Sequence, residues 1–151
     1  MRFAARVPPL AVAFLFLLAC DPGYRLHPVA WGPAKDFRYE RDVDGLHVTT
    51  RDIGGLLGES SVSAEFAITT NRPVRPVRMT LIAAGGRFPG DLSNSRGSSP
   101  HEGREEVASL AGWWSFPDLM LPQILGEHPS IEVVFDYGGE TRSFVVHYEK
   151  E

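Results

Sequence analysis

Strict alternation of apolar and polar side chains is the feature of this 151-residue chain that most restricts its fold. It is clearest in residues 131–137 and 144–148, where every second side chain is large and apolar, and Gly138-Gly139 lies between the two runs. A period of two is that of a β-strand with one buried face, and a glycine pair accepts the positive φ angles of a tight hairpin turn. These residues therefore predict a hairpin of two long strands.

The same period recurs elsewhere in the chain. Alternating segments cover residues 60–70, 77–83 and 104–116, and Asp44-Gly45 predicts a further tight turn. The predicted inward-facing sets are Val62, Ala64, Phe66 and Ile68; Val77, Met79, Leu81 and Ala83; and Ala108, Leu110, Trp114 and Phe116. Prolines and glycines leave room for only a short helical turn near residues 119–125. Residues 85–103, rich in Gly, Ser and Pro, predict a long loop.

This pattern amounts to about seven or eight short strands with almost no helix. It predicts an all-β fold, an antiparallel immunoglobulin-like β-sandwich covering residues 37–151. The paired cysteines of true immunoglobulin domains are absent because Cys20 is the only cysteine, so the prediction concerns architecture alone. A single cysteine also excludes an intrachain disulfide and a cysteine-based zinc cluster, which leaves the apolar core to hold the domain together.

The charge of the chain argues against nucleic acid as a partner. The formal net charge is −4, and it becomes −6 for residues 20–151 because Arg2 and Arg6 precede them with no acidic residue nearby. Nucleic-acid binding requires a basic surface that displaces counterions. We therefore expect no nucleic-acid partner.

The first nineteen residues have the organisation of an export signal. Arg2 and Arg6 supply a positive start, an apolar run covers residues 10–19, and Cys20 follows directly. The apolar run is about half the length of a membrane-spanning helix, and Pro8-Pro9 prevents its extension towards the amino terminus. A cleaved signal peptide over residues 1–19 is therefore the prediction.

The four residues Leu17-Leu18-Ala19-Cys20 resemble the lipobox of bacterial lipoprotein precursors, although Leu18 stands where Ala or Ser is usual. The resemblance covers about twenty residues. It implies a diacylglyceryl group on the Cys20 thiol, cleavage before Cys20, and a membrane anchor of two or three acyl chains, palmitate among them. It also implies location in the cell envelope, facing the periplasm or the exterior. Asp21 resembles the signal for inner-membrane retention. The alternative is a conventional signal whose cleavage site happens to contain a cysteine.

Residues 20–36 follow the signal and contain five prolines and glycines, which are Pro22, Gly23, Pro28, Gly32 and Pro33. Such a composition predicts an extended lipidated stalk that lifts the domain above the headgroups. Within it, residues 29–31 could dock on the domain as a first short strand.

The search for catalytic or metal-binding chemistry gives no motif. The histidines lack ligand spacing, Asp42-x-Asp44-Gly45 has no further calcium ligands, and neither a nucleophile elbow nor a phosphate loop occurs. The histidines are His27, His47, His101, His128 and His147. We therefore expect no metal, no cofactor and no enzymatic activity.

Two features are candidates for a binding surface. In a strand, Trp113 and Trp114 point to opposite faces, and parity directs Trp113 outwards, where an indole can contact a protein or a sugar. The alternative is that the loop over residues 85–103 covers the Trp113 indole. Arg72, Arg75 and Arg78 form a basic group that can meet anionic headgroups or simply be solvated. The sequence thus predicts an envelope lipoprotein whose sandwich binds a protein or envelope component. The alternative is an envelope hydrolase or ligand sensor with a site built from distant loops.

Overall fold

The computed structural model describes residues 23–92 and 105–150. The predicted signal over residues 1–19, Cys20, Asp21 and His101 lie outside the described residues. Within them the chain forms eleven strands and one short helix. The strands are β1 (Tyr24–Pro28), β2 (Gly32–Pro33), β3 (Tyr39–Val43), β4 (Leu46–Thr50), β5 (Ile53–Gly55), β6 (Ser61–Thr70), β7 (Val74–Ala83), β8 (Gly86–Pro89), β9 (Glu106–Ser115), β10 (Ser130–Tyr137) and β11 (Glu140–Lys150), and the helix α1 is Leu121–Leu125.

The strands form two antiparallel sheets that pack against each other. The six-stranded sheet has the order β5-β1-β11-β10-β7-β8, and the five-stranded sheet has the order β2-β3-β4-β6-β9. This confirms the predicted all-β antiparallel sandwich. The strand count exceeds the predicted seven or eight because several strands are too short to show a period.

The core lies between the inner faces of the two sheets. Phe144 of the six-stranded sheet packs edge-on against Phe66 of the five-stranded sheet, with ring centroids 5.6 Å apart, and its centroid lies 5.9 Å from that of Phe135. The predicted inward-facing residues Val62, Ala64, Phe66 and Ile68 are all buried. The predicted helical turn is also present, and α1 contributes Leu121, Ile124 and Leu125 to the same core.

Both predicted tight turns are hairpins in the structure. Gly138 and Gly139 have φ angles of 56° and 89° between β10 and β11, and Asp44 and Gly45 have 49° and 80° between β3 and β4. Two successive positive φ angles give the turn a twist that matches the strands on either side. These turns fix the register of the two hairpins.

The predicted stalk is wrong over residues 24–28 and 32–33, which form strands. Residues Tyr24–Pro28 form β1, which pairs with β11 on one side and β5 on the other, and Leu26 is fully buried. The sandwich therefore begins by Tyr24 and not at residue 37. The segment expected to dock, residues 29–31, is a turn and a single residue between β1 and β2. The prolines argue against a strand, but Pro28 stands at the end of β1, where a proline is tolerated.

The predicted loop over residues 85–103 is also wrong at its start. Gly86–Pro89 forms β8, and the chain then crosses from one sheet to the other. The Gly90 N–H donates to the Met79 carbonyl of the six-stranded sheet (2.8 Å), and the Asp91 N–H donates to the Trp113 carbonyl of the five-stranded sheet (2.8 Å). This crossing links the sheets along one side of the sandwich. Residues 93–104 lie outside the described residues.

One residue predicted to face inwards does not. Val77 is 48% exposed. In the pairing of β7 with β10, Arg78 is opposite Val134 and Pro76 is opposite Phe135, so Val77 is the extra residue of a β-bulge. A bulge shifts the parity of a strand by one residue, which the strict period of two does not anticipate.

Candidate binding surface

Trp113 projects from the outer face of the five-stranded sheet, as its parity predicts. Its side chain is 46% exposed, whereas that of Trp114 is 4% exposed and points into the core. The Trp114 Nε1–H donates to the Phe88 carbonyl oxygen (2.9 Å), so the buried indole has its polar atom satisfied. The two neighbouring tryptophans therefore have different roles, one in packing and one at the surface.

A shallow cleft of about 360 Å³ surrounds Trp113 on this face. Ser63 lies directly opposite Trp113 in the β6–β9 pairing, and Glu65 lies opposite Ala111, so these side chains share one face. We call this region the Trp113 cleft; it is lined by Arg51, Asp52, Ser63, Ala64, Glu65, Asp91, Ala111, Gly112 and Trp113.

The backbone on both sides of the cleft is held firmly. The Trp113 N–H donates to the Asp91 carbonyl (3.0 Å), and the Asp91 N–H donates back to the Trp113 carbonyl (2.8 Å). Two glycines allow this close approach: a β-carbon on Gly90 would lie 2.7 Å from Cε2 of Trp114, and one on Gly112 would lie 2.7 Å from Sδ of Met79. The exposed indole is thus carried on a strand whose backbone is paired with β6 on one side and with Asp91 on the other.

The cleft combines an aromatic surface with charged groups. Asp52, Glu65 and Asp91 contribute carboxylates, and Arg51 contributes one guanidinium. The Ser109 hydroxyl donates to Oε1 of Glu65 (2.9 Å), which orients that carboxylate on the sheet face. An indole can stack on an apolar or sugar surface while carboxylates and a guanidinium hydrogen-bond polar groups around it.

The structure does not bring the predicted arginines to this cleft. Arg72 lies in the turn between β6 and β7, and its guanidinium is 5.6 Å from the centroid of the Tyr137 ring; Arg142 is 4.8 Å from the same centroid. Arg78 is on the six-stranded sheet, where Nη2 lies 3.7 Å from Oε2 of Glu132. Trp113, Arg72 and Arg78 therefore occupy separate surfaces and do not form one site.

Among the described histidines, His27 and His47 lie close to carboxylates, and Nδ1 of His147 lies 2.7 Å from the Ser130 hydroxyl oxygen. His47 has Nδ1 3.1 Å from Asp42 Oδ1 and Nε2 3.6 Å from Glu40, and His27 Nε2 is 3.4 Å from Glu149. Across residues 23–92 and 105–150, no three His, Cys, Asp or Glu side chains converge in a way that could hold a metal ion. In the same part of the chain, no helix has the length and hydropathy of a membrane span.

Sequence reasoning missed a second exposed surface. Two loops at one end of the sandwich, between β5 and β6 and before α1, expose large apolar side chains. We call this surface the apolar end; its residues, with exposed fractions, are Leu56 (57%), Leu57 (37%), Leu119 (41%) and Met120 (57%). The signal that could have found it is the run Gly54-Gly55-Leu56-Leu57-Gly58, in which two leucines stand among turn-forming glycines.

Phe37 is a further exposed apolar residue on the same side of the domain. It is 98% exposed and has a φ of 56°, next to Asp36 with a φ of 60°. It borders a shallow cavity of about 320 Å³ that Gly54 and Gly55 also line. A bulky side chain with positive φ is strained, and here no burial of the ring offsets that strain.

Comparison with known proteins gives no relative on which to base a function. No protein-family model matches the chain, and no curated protein sequence matches it significantly.

Proposed function

We propose that this chain is a bacterial envelope lipoprotein whose β-sandwich binds a protein or cell-envelope partner through the Trp113 cleft, without catalysing a reaction. The observation that carries the binding part is the half-exposed indole of Trp113, on a strand whose backbone makes reciprocal hydrogen bonds with Asp91. A rigid aromatic side chain loses little conformational entropy when a partner covers it, and tryptophan is enriched where binding energy is concentrated.

The anchor in this proposal is lipid on Cys20. It is supported by the positive start, the short apolar run and the lipobox-like residues ending at Cys20. Changing Cys20→Ala should leave the precursor uncut or release the protein from the membrane pellet, as followed by immunoblotting of fractions. A variant that stays processed and membrane-bound would contradict the anchor. Changing Asp21→Ser should move the protein between membranes if Asp21 acts as a retention signal.

The binding surface can be tested by photo-crosslinking in the living cell. A photoreactive phenylalanine analogue at Trp113 should capture a partner, seen as a band of higher mass in the membrane fraction. The matched control is Val107, which is 65% exposed on the same strand. A product at Val107 but none at Trp113 would contradict the assigned surface.

A second candidate function uses the same cleft. Asp52, Glu65 and Asp91 place three carboxylates beside Trp113, which is a composition that a hydrolase or a sensor of polar ligands can use. Purified protein that turns over an envelope substrate, with loss of that turnover in Asp52→Asn or Glu65→Gln, would favour this alternative. Crosslinking to a stable partner with no turnover would favour the binding module.

A further inference from the structure

The two loops of the apolar end are joined to each other by backbone hydrogen bonds. The Phe116 N–H donates to the Ser60 carbonyl (2.8 Å), and the Leu121 N–H donates to the Glu59 carbonyl (3.0 Å). The loops therefore form one continuous surface at the end of the sandwich where β6 begins and β9 ends. Their exposed apolar side chains belong to a single patch.

The first described residue lies at this same end. Tyr24 is opposite Gly55 in the pairing of β1 with β5, and a β-carbon on Gly23 would lie 3.1 Å from the Gly55 carbonyl oxygen. The residue after Gly55 is Leu56. The chain therefore enters the sandwich beside the apolar end.

Very little chain separates this point from Cys20. Only Asp21 and Pro22 stand between Cys20 and Gly23, and three residue steps span at most about 10 Å even when fully extended. Lipid on Cys20 would therefore hold the apolar end against the headgroups of the bilayer. A long stalk that could lift the domain away is excluded, because β1 begins at Tyr24.

We propose that the apolar end docks onto the lipid bilayer that carries the Cys20 anchor, with Leu56 and Met120 entering the headgroup region. This inference rests on the proposed lipidation of Cys20. The transfer of apolar side chains from water to the membrane interface is favourable. A second point of attachment next to a lipid anchor therefore strengthens the binding to the membrane.

The charges near this end indicate which lipid chemistry is involved. Glu59 and Asp118 lie in the two loops. Burial raises the pKa of the Tyr24 hydroxyl, and the nearby carboxylate of Glu127 raises it further. Lys150 Nζ is 5.3 Å from the centroid of the Tyr24 ring. Arg25, which follows Tyr24 in β1, is a second cation near this end. The three carboxylates still outnumber the two cations, so attraction to anionic headgroups does not drive the docking. We expect the apolar end to enter zwitterionic phosphatidylcholine bilayers as well as anionic ones.

Docking also fixes how the domain presents its other surfaces. Arg72 and Tyr137 lie at the opposite end of β7 and β10 from residues 83 and 130, which are near the apolar end. The Trp113 cleft is on a sheet face and therefore opens to the side. A partner in the Trp113 cleft would accordingly approach parallel to the membrane surface.

The test uses the full chain, expressed with its signal and purified from membranes. Once Cys20 carries lipid, Leu56→Cys provides the only free thiol, which is labelled with an environment-sensitive fluorophore. Val145→Cys is the control, since Val145 is 43% exposed on β11, away from the apolar end. Each labelled protein is placed in phosphatidylcholine vesicles containing lipids with a shallow spin-label quencher. Intact mass spectrometry records the lipid on Cys20 in each sample.

The expected result is blue-shifted emission at position 56 with quenching at least threefold stronger than at position 145, and the same behaviour for Met120→Cys. Water-like emission at both loop positions, with the lipid mass present, would overturn the docking and leave the proposed lipoprotein standing. Blue-shifted emission that the lipid quencher does not affect would mean that protein covers the patch, which also overturns the docking. Absence of the lipid mass would overturn the anchor and the docking together.

Discussion

The backbone of Gly54 in β5 runs so close to the Tyr24 carbonyl in β1 that a β-carbon on Gly54 would overlap that oxygen. This contact is part of what places the amino-terminal strand inside the six-stranded sheet. Gly54 also has a φ of +134°, which side chains of L-residues rarely adopt. Position 54 therefore requires glycine for two independent reasons.

Gly54→Ala is expected to be severely destabilising. The added methyl group must displace the backbone of β1, so we expect the free energy of unfolding to fall by at least about 3 kcal/mol. Gly45→Ala is the matched control, because Gly45 also has a positive φ, of +80°, but a β-carbon there meets no atom within 4 Å. That control should lose only about 1 kcal/mol. Urea unfolding followed by tryptophan fluorescence measures both, and equal losses would contradict the close contact.

Tyr148→Phe is expected to stabilise the protein. The Tyr148 ring is fully buried, and its hydroxyl oxygen has no hydrogen-bond partner among the described residues; the hydroxyl of nearby Thr50 donates instead to the Glu65 carbonyl (3.0 Å). A buried hydroxyl without a partner is costly, so its removal should raise the free energy of unfolding by about 1 kcal/mol. Thermal unfolding at pH 7 provides the measurement, and a loss of stability would show that the hydroxyl is in fact paired.

The same residue predicts a dependence on alkaline pH. Burial raises the pKa of Tyr148 above its ordinary value, and the charge of Asp52 raises it further. The unfolded chain therefore releases this proton near pH 10, whereas the folded protein retains it to higher pH, so stability is lost as pH rises above about 10. Tyr148→Phe should show a shallower loss of the free energy of unfolding between pH 9 and 11 than the unmodified protein, in urea titrations at each pH. Identical slopes would argue against the raised pKa.

The two neighbouring tryptophans should respond very differently to truncation. Trp114→Ala removes a buried indole and its hydrogen bond to Phe88, which should cost about 3–5 kcal/mol of stability. Trp113→Ala should cost less than about 1 kcal/mol, because the hydrogen bonds of residue 113 to Asp91 are made by the backbone. Calorimetric unfolding compares the two. A large loss in Trp113→Ala would indicate that this indole packs against the domain and is not available to a partner.

Glu132 is expected to contribute a small, salt-sensitive stabilisation. Its Oε2 lies 3.1 Å from Arg87 and 3.7 Å from Arg78, both of which are largely exposed. Glu132→Gln should lower the free energy of unfolding by less than about 1 kcal/mol at low salt, and the difference should shrink at 1 M salt. Glu140→Gln, which affects a single pair with Arg142 (3.6 Å), serves as the comparison. A loss that does not depend on salt would contradict an ionic origin.

The sequence alone determined the features that depend on neighbouring residues. The period of two in residues 60–70 and 131–148 identified long strands, and the pairs Asp44-Gly45 and Gly138-Gly139 located the tight turns, because pleat and turn geometry are local properties of the backbone. The same reasoning separated Trp113 from Trp114, since successive side chains of a strand point to opposite faces. The candidate site was therefore partly predicted, through one residue.

Only the tertiary structure decided which distant segments lie together. β1 pairs with residues 53–55 and 148–150, the chain after β8 crosses between sheets, and the bulge at Val77 reverses a parity that the pattern had fixed. Likewise, only the fold separated Arg72 and Arg78 from Trp113 and brought the apolar end beside Gly23. Hydrogen bonds between strands far apart in the chain leave no local pattern, so short segments such as β1 become recognisable only when their partners are in place.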